Sequence, residues 1–119
     1  MNNISNLKEK VLIVIPILNN YKIFKDSFYT KNNIENRKSE TISLVRALNV
    51  NVLDDLTIKI NKFSSAYLFN KNSLDWILKL IQKLKINLLI IDFQLSPIQQ
   101  RNMELFLKVK VIDLSLIHI

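Results

Sequence analysis

The apolar residues of this chain fall into blocks with two different periods. Val11–Leu18 is apolar throughout, with Pro16 near its end, and reads as a strand covered on both faces. Leu88–Asp92 and Val109–Asp113 are shorter apolar runs, each ending in a carboxylate, and predict strands over 88–92 and 109–112. Val50–Ile60 alternates in part, through Val50, Val52, Leu56, Ile58 and Ile60, and predicts a strand over 50–58 with one more exposed end. Between these blocks the period lengthens to that of a helix. Over Asn33–Leu48 the stripe is Ile42, Val45 and Leu48, with Arg37, Lys38 and Arg46 facing water and Asn49 as a stop signal. Over Leu74–Lys85 it is Leu74, Ile77, Leu78, Ile81 and Leu84. Trp76 and Leu80 widen that stripe, so both its sides should be partly covered, and Lys79, Lys83 and Lys85 make a basic side.

The third helix has the densest local signals. Ser96 can cap a backbone N–H, Pro97 suits the first helical position, and Gln99 can reach back to the cap residue, so a helix over 97–107 is predicted. On a wheel at 100° per residue, Met103, Phe106 and Leu107 share one side and Ile98 and Leu105 border it. Gln100, Arg101 and Glu104 fall on the wet side. Gln99 and Asn102 fall inside the apolar arc. The cap explains Gln99, and Asn102 should therefore bond backbone near the end of an adjacent strand.

Strand, helix and strand at this spacing make a parallel unit with a right-handed crossover. The expected fold is α/β: a mostly parallel four-stranded sheet with helices near 34–48, 73–85 and 97–107 on both faces. At 119 residues the chain is expected to be one domain, with residues 1–9 frayed.

Composition changes the picture in three places. Cysteine is absent, which removes disulfides and thiolate metal sites. No apolar run approaches the roughly 18 residues of a membrane span, and the N-terminus lacks the pattern of a signal peptide, so the cytoplasm is the expected location. Glycine is absent as well, against an average usage of about 7%. Positions that need a positive φ are expected to use Asn. The net charge of +7 suits an acidic partner, most often nucleic acid, and equally suits AT-rich codon usage, which favours Lys, Asn and Ile.

Little of the chemistry-bearing inventory forms a site. There is no Gly-rich phosphate loop followed by Lys-Ser or Lys-Thr, so a P-loop is missing. His118, the single histidine, can build neither a triad nor a multi-histidine metal site. Asp54 and Asp55 are adjacent in a strand and point to opposite faces, which argues against joint acid–base work. Asp92 and Asp113 end parallel strands, where open α/β sheets bind ligands, but no companion nucleophile is evident and each is expected to cap the following turn. Tyr21, Phe24, Phe28 and Tyr29 interleave with Lys22, Lys25 and Lys31, a pattern that can stack on single-stranded nucleic acid. The four-residue spacing of Phe24 and Phe28 favours packing instead. No catalytic residue, metal ligand or cofactor site is assigned.

Leu95-Ser96-Pro97, Gln99, Arg101-Asn102, Glu104 and Val111-Ile112-Asp113 are similar, in order, to the signature of the N-terminal domain of HflX-type ribosome-associated GTPases, with Met103 where leucine is usual. Val11–Leu18 resembles the family's first strand. Leu68–Ser73 stands where the family has an apolar pair and then Gly-x-Gly-Lys; Asn70 and Asn72 replace both glycines and Ser73 the lysine. After Asp113 the family continues with Arg-Thr-Gly, where this chain has Leu114-Ser115. The resemblance implies an N-terminal domain truncated before the linker helices and the GTP-binding domain, and so no enzyme in itself. It implies GTP and Mg²⁺ as cofactors of full-length members only. It also implies the large ribosomal subunit and its rRNA as partner, with no membrane or metal. Arg101, Lys108, Lys79 and Lys83 are the candidate RNA contacts. Ser96, Pro97, Gln99, Asn102 and Asp113 are the family-signature residues expected to act structurally. The alternatives are a small-ligand or nucleotide-binding domain working at the strand ends near Asn70–Ser73, Asp92 and Asp113, or a non-functional gene remnant.

Overall fold

The computed structural model describes residues 8–18, 31–62 and 64–116, with side chains from residue 35 in the second stretch and to residue 115 in the third. In chain order the elements are β1 (Lys10–Leu18), α1 (Lys31–Arg46), β2 (Asn51–Ile60), α2 (Lys71–Leu84), β3 (Leu88–Ile91), α3 (Pro97–Leu107) and β4 (Lys110–Asp113), closed by a 3₁₀ turn over Leu114–Leu116. The four strands form one sheet in the order β2-β1-β3-β4. Every pairing is parallel, including the register that sets Leu88 beside Lys110 and Ile91 beside Asp113. The fold is therefore α/β, with elements close to those the periodicity predicts.

β1 is the centre of the sheet, and its sequence explains why. Val11–Ile17 are buried on both faces, as the unbroken apolar run requires. Pro16 is tolerated because β1 pairs with β3 only over Val11–Val14. At Pro16 the strand has β2 as its one ladder neighbour, so a missing donor breaks no second ladder.

The two faces carry different helices. Leu12 and Val14 of β1, Leu56, Ile58 and Ile60 of β2, and Leu89 and Ile91 of β3 pack with Leu74, Ile77 and Ile81 of α2 and Met103 and Leu107 of α3. Val11, Ile13, Ile15 and Ile17 pack with Leu88, Ile90 and Leu114, and with Val45 of α1. The chain steps from β1 to β2 in one direction and from β2 past β1 to β3 in the other. Crossovers of a common hand must then change face, which puts α1 opposite α2 and α3.

Several expectations are corrected. α1 ends at Arg46, so Leu48 lies in the following turn, 41% exposed, and Thr41 takes a buried place in the stripe. Arg37 and Lys38 do not simply face water; both are half-buried in ion pairs. Of the two residues that widen the α2 stripe, Leu80 is partly buried against the core, as expected, whereas Trp76 is 48% exposed. Ile98 and Leu105 stand out from α3, 65% and 66% exposed, because the buried line of that helix runs through Met103 and Leu107 alone. Positive φ occurs at Asn49, as expected, but also at Leu68, Lys85 and Lys108. Tyr21, Phe24, Phe28, Tyr29, His118 and residues 1–7 lie outside the described residues.

Candidate nucleic-acid interface

α2 starts at Lys71, two residues before the position expected: Asn70 is its cap, accepting a hydrogen bond from the Ser73 N–H at 2.8 Å. α3 starts on the predicted capping box. The Gln99 N–H donates to Ser96 Oγ at 3.1 Å and the Ser96 N–H donates to Gln99 Oε1 at 3.0 Å. Each helix ends on a lysine in the left-handed region, Lys85 at φ 57 and Lys108 at φ 58, whose backbone N–H closes the last turn. These ends are positions where glycine is usual.

The two helices lie side by side on one face of the sheet, and they bring the four candidate cations together on a single outer layer. Leu74, Ile77 and Ile81 hold the inner line of α2, which turns Lys79 and Lys83 outward. Met103 and Leu107 do the same on α3 and turn Arg101 outward. Lys108 follows at the end of α3, opposite Lys85 across a cavity of about 420 Å³ floored by Ile81, Phe106 and Leu107. Lys79, Lys83, Arg101 and Lys108 are all exposed, and among the described residues none forms an ion pair. Glu104, the acidic residue of α3, is turned aside: its Oε2 accepts from the Val111 N–H at 3.0 Å. Asp75 is half-buried on α2.

The signature residues form the scaffold beneath that layer. Gln99 Nε2 donates to the Ser64 carbonyl and Asn102 Nδ2 to the Ala66 carbonyl, both at 3.1 Å. Together they tie α3 to the connection that leaves β2; Asn102 bonds backbone as expected, but in the turn past β2 rather than at the end of an adjacent strand, and its side chain is half-buried rather than enclosed. Asp113 is 2% exposed. Its Oδ2 accepts from the Leu95 N–H and its Oδ1 from the Ser115 N–H, both at 2.7 Å, and Oδ1 also takes the Ser115 hydroxyl. One carboxylate thus fixes the approach to α3 and the turn after β4.

The strand-end carboxylates do not converge. Asp113 points to the α3 side, whereas Asp92 points to α1. Among the described residues Asp92 bonds α1 rather than its own turn: Oδ2 accepts from Arg37 Nε at 3.0 Å and from Thr41 Oγ1 at 2.9 Å, and Arg37 Nη2 donates to the Asp92 carbonyl at 2.8 Å. No sequence signal links Arg37 to a residue 55 positions away. Gln100 and Glu104 also depart from their expected place on the wet side. Gln100 Nε2 donates to the Val111 carbonyl at 2.8 Å, so both residues clasp the outer edge of β4 instead of facing water. Their four-residue spacing was the available signal. A cavity of about 370 Å³ where β2 ends and α2 begins is lined by Lys59, Lys62, Asn70 and Ser73. Asp54 is exposed and accepts from the Asp55 N–H, while Asp55 pairs with Lys38 Nζ at 3.1 Å.

A family model described as GTP-binding GTPase N-terminal matches residues 35–117, well over half of the chain. The match runs from α1 through the turn after β4 and takes in both helices of the cationic layer and every signature residue. No curated protein matches the chain. Among the described residues, no helix is long and apolar enough to cross a membrane.

Proposed function

The chain belongs to the GTP-binding GTPase N-terminal family, the N-terminal domain of HflX-type GTPases, and from that premise we propose that it is a non-catalytic module that binds rRNA of the large ribosomal subunit through its α2–α3 layer. The observation that carries the reading is the set of four exposed cations, Lys79, Lys83, Arg101 and Lys108, on one layer without ion-pair partners among the described residues. Paired lysines and arginines have their charge spent locally, whereas unpaired ones can replace the counterions of a phosphate backbone. Two packed helices also hold them at fixed spacing, which limits the ordering cost of binding. The expected setting is the cytoplasm.

Co-sedimentation with large subunits at rising salt tests this. Binding should weaken steeply with salt. The double variant Lys79→Glu/Arg101→Glu should lose most binding while its circular dichroism and melting stay close to the parent, since both side chains are exposed. No pelleting at low salt, or pelleting unchanged by the reversals, removes the reading and leaves a non-functional remnant ahead.

GTP and Mg²⁺ belong, on this reading, to the GTP-binding domain of full-length members rather than to these residues, which carry no phosphate loop. Titration with a fluorescent GTP analogue should show no saturation in the micromolar range. Saturation there would favour the second reading, a small-ligand site at the cavity of about 370 Å³ between the end of β2 and the start of α2, lined by Lys59, Lys62, Asn70 and Ser73.

A further inference from the structure

The two edges of the sheet are treated differently. At the β4 edge, Gln100 and Glu104 of α3 satisfy the outward C=O and N–H of Val111, so the position where another strand would add is already occupied. At the other edge, β2 runs for ten residues, and among the described residues the one side-chain bond to its outward backbone is local: Asp54 Oδ1 accepts from the neighbouring Asp55 N–H at 2.8 Å, a bond that an added strand would exchange for its own. A long, open strand edge is a template for a further strand.

We propose that β2 pairs antiparallel with β2 of a second copy, about a two-fold axis through Thr57, to make one eight-stranded sheet. The argument is one of charge and face. Leu56, Ile58 and Ile60 of β2 lie on the α2–α3 face, and Asp55, Thr57 and Lys59 on the α1 face, where Asp55 meets Lys38. An axis perpendicular to the sheet keeps like faces together. Centred on Thr57, it sets Asp55 of each copy opposite Lys59 of the other, Leu56 opposite Ile58, and Thr57 opposite itself. Directly opposed side chains of this kind attract across an antiparallel pair. No other register of that symmetry opposes a carboxylate and an ammonium within the strand. A shift of the axis to Leu56 opposes Asp55 to Thr57, and a shift to Asp55 opposes it to its own copy. The charges therefore select one register rather than block the edge. The irregularity at Leu53, between the Val11 and Leu12 pairings, lies outside the paired segment.

α2 supports the same contact. Leu78 and Gln82 line the cavity shared with α3, so the helix turns Trp76 to its opposite flank, the side toward β2, where Leu80 packs against the core. Trp76 is 48% exposed there, apolar area that a second copy can cover. In the two-fold pair, the equivalent flanks of both copies lie on the same side of the joined sheet and cover one another.

Sedimentation velocity of the full chain over micromolar concentrations should show a monomer–dimer equilibrium. Emission of Trp76, the single tryptophan, should shift to the blue as the dimer forms. Lys59→Glu and Asp55→Lys should each raise the dissociation constant about tenfold or more, because each sets like charges opposite one another twice. An equimolar mixture of the two variants restores both attractive pairs and should dimerise like the parent. That rescue separates the contact from damage to either monomer, and circular dichroism confirms that each is folded. A parent that stays monomeric throughout, variants that dimerise as well as the parent, or a mixture that fails to recover would each overturn the proposal.

Discussion

Single residues here do their work mainly by satisfying backbone. Asp113 carries three hydrogen bonds from two segments while almost fully buried. Asp113→Ala strands the buried Leu95 N–H and should destabilise by about 1–3 kcal/mol. Ser96→Ala removes one bond at an exposed cap and should cost about 1 kcal/mol. Equilibrium urea melts with unchanged slope check the order; a smaller loss for Asp113→Ala than for Ser96→Ala would contradict the clamp. The cap at Ser96 was legible because its bonds span three residues. The clamp at Asp113 was legible only as to its turn, since Leu95 is 18 positions away. The absence of glycine misled in one respect: Asn49 takes a positive φ, but so do Leu68, Lys85 and Lys108. Each costs roughly 1–2 kcal/mol against glycine's freedom. Leu68 is held there by complete burial, and the two lysines by the hydrogen bonds that close α2 and α3.

At the scale of elements, all four strands and three helices were readable, because their apolar period matches the face each one buries. What failed was rotation about a helix axis. On α3 a helical wheel centres the apolar arc on Met103, Phe106 and Leu107, whereas packing against the sheet selects Met103 and Leu107 and leaves Phe106 edge-on to Tyr67, with ring centroids 6.3 Å apart. That rotation moves Gln100 and Glu104 onto β4 and pushes Ile98 and Leu105 out. It has a measurable consequence. Glu104→Ala should free the Val111 N–H at the sheet edge and speed its hydrogen exchange, with little change at Leu89 or Ile90 inside the sheet. Unchanged exchange at Val111 would mean that the side chain does not seal the edge. The same rotational limit hid the Arg37–Asp92 pair, which depends on which face of the sheet α1 covers.

On the scale of the whole molecule, topology decides what the chemistry can be. The order β2-β1-β3-β4 sends Asp92 to α1 and Asp113 to α3, so the carboxylates at the strand ends serve two separate structural roles. The same order places α2 beside α3 and gathers Lys79, Lys83, Arg101 and Lys108 on one side. Net charge alone could not show that grouping, because charge carries no geometry. Lysine acylation footprinting on the intact chain, with and without large ribosomal subunits at low salt, tests the rRNA-binding layer most directly. The account predicts that Lys79, Lys83 and Lys108 lose reactivity on binding, while Lys38 on α1 and Lys110 at the far edge keep theirs. Protection centred on Lys38, or none at any lysine while the chain is bound, would contradict it.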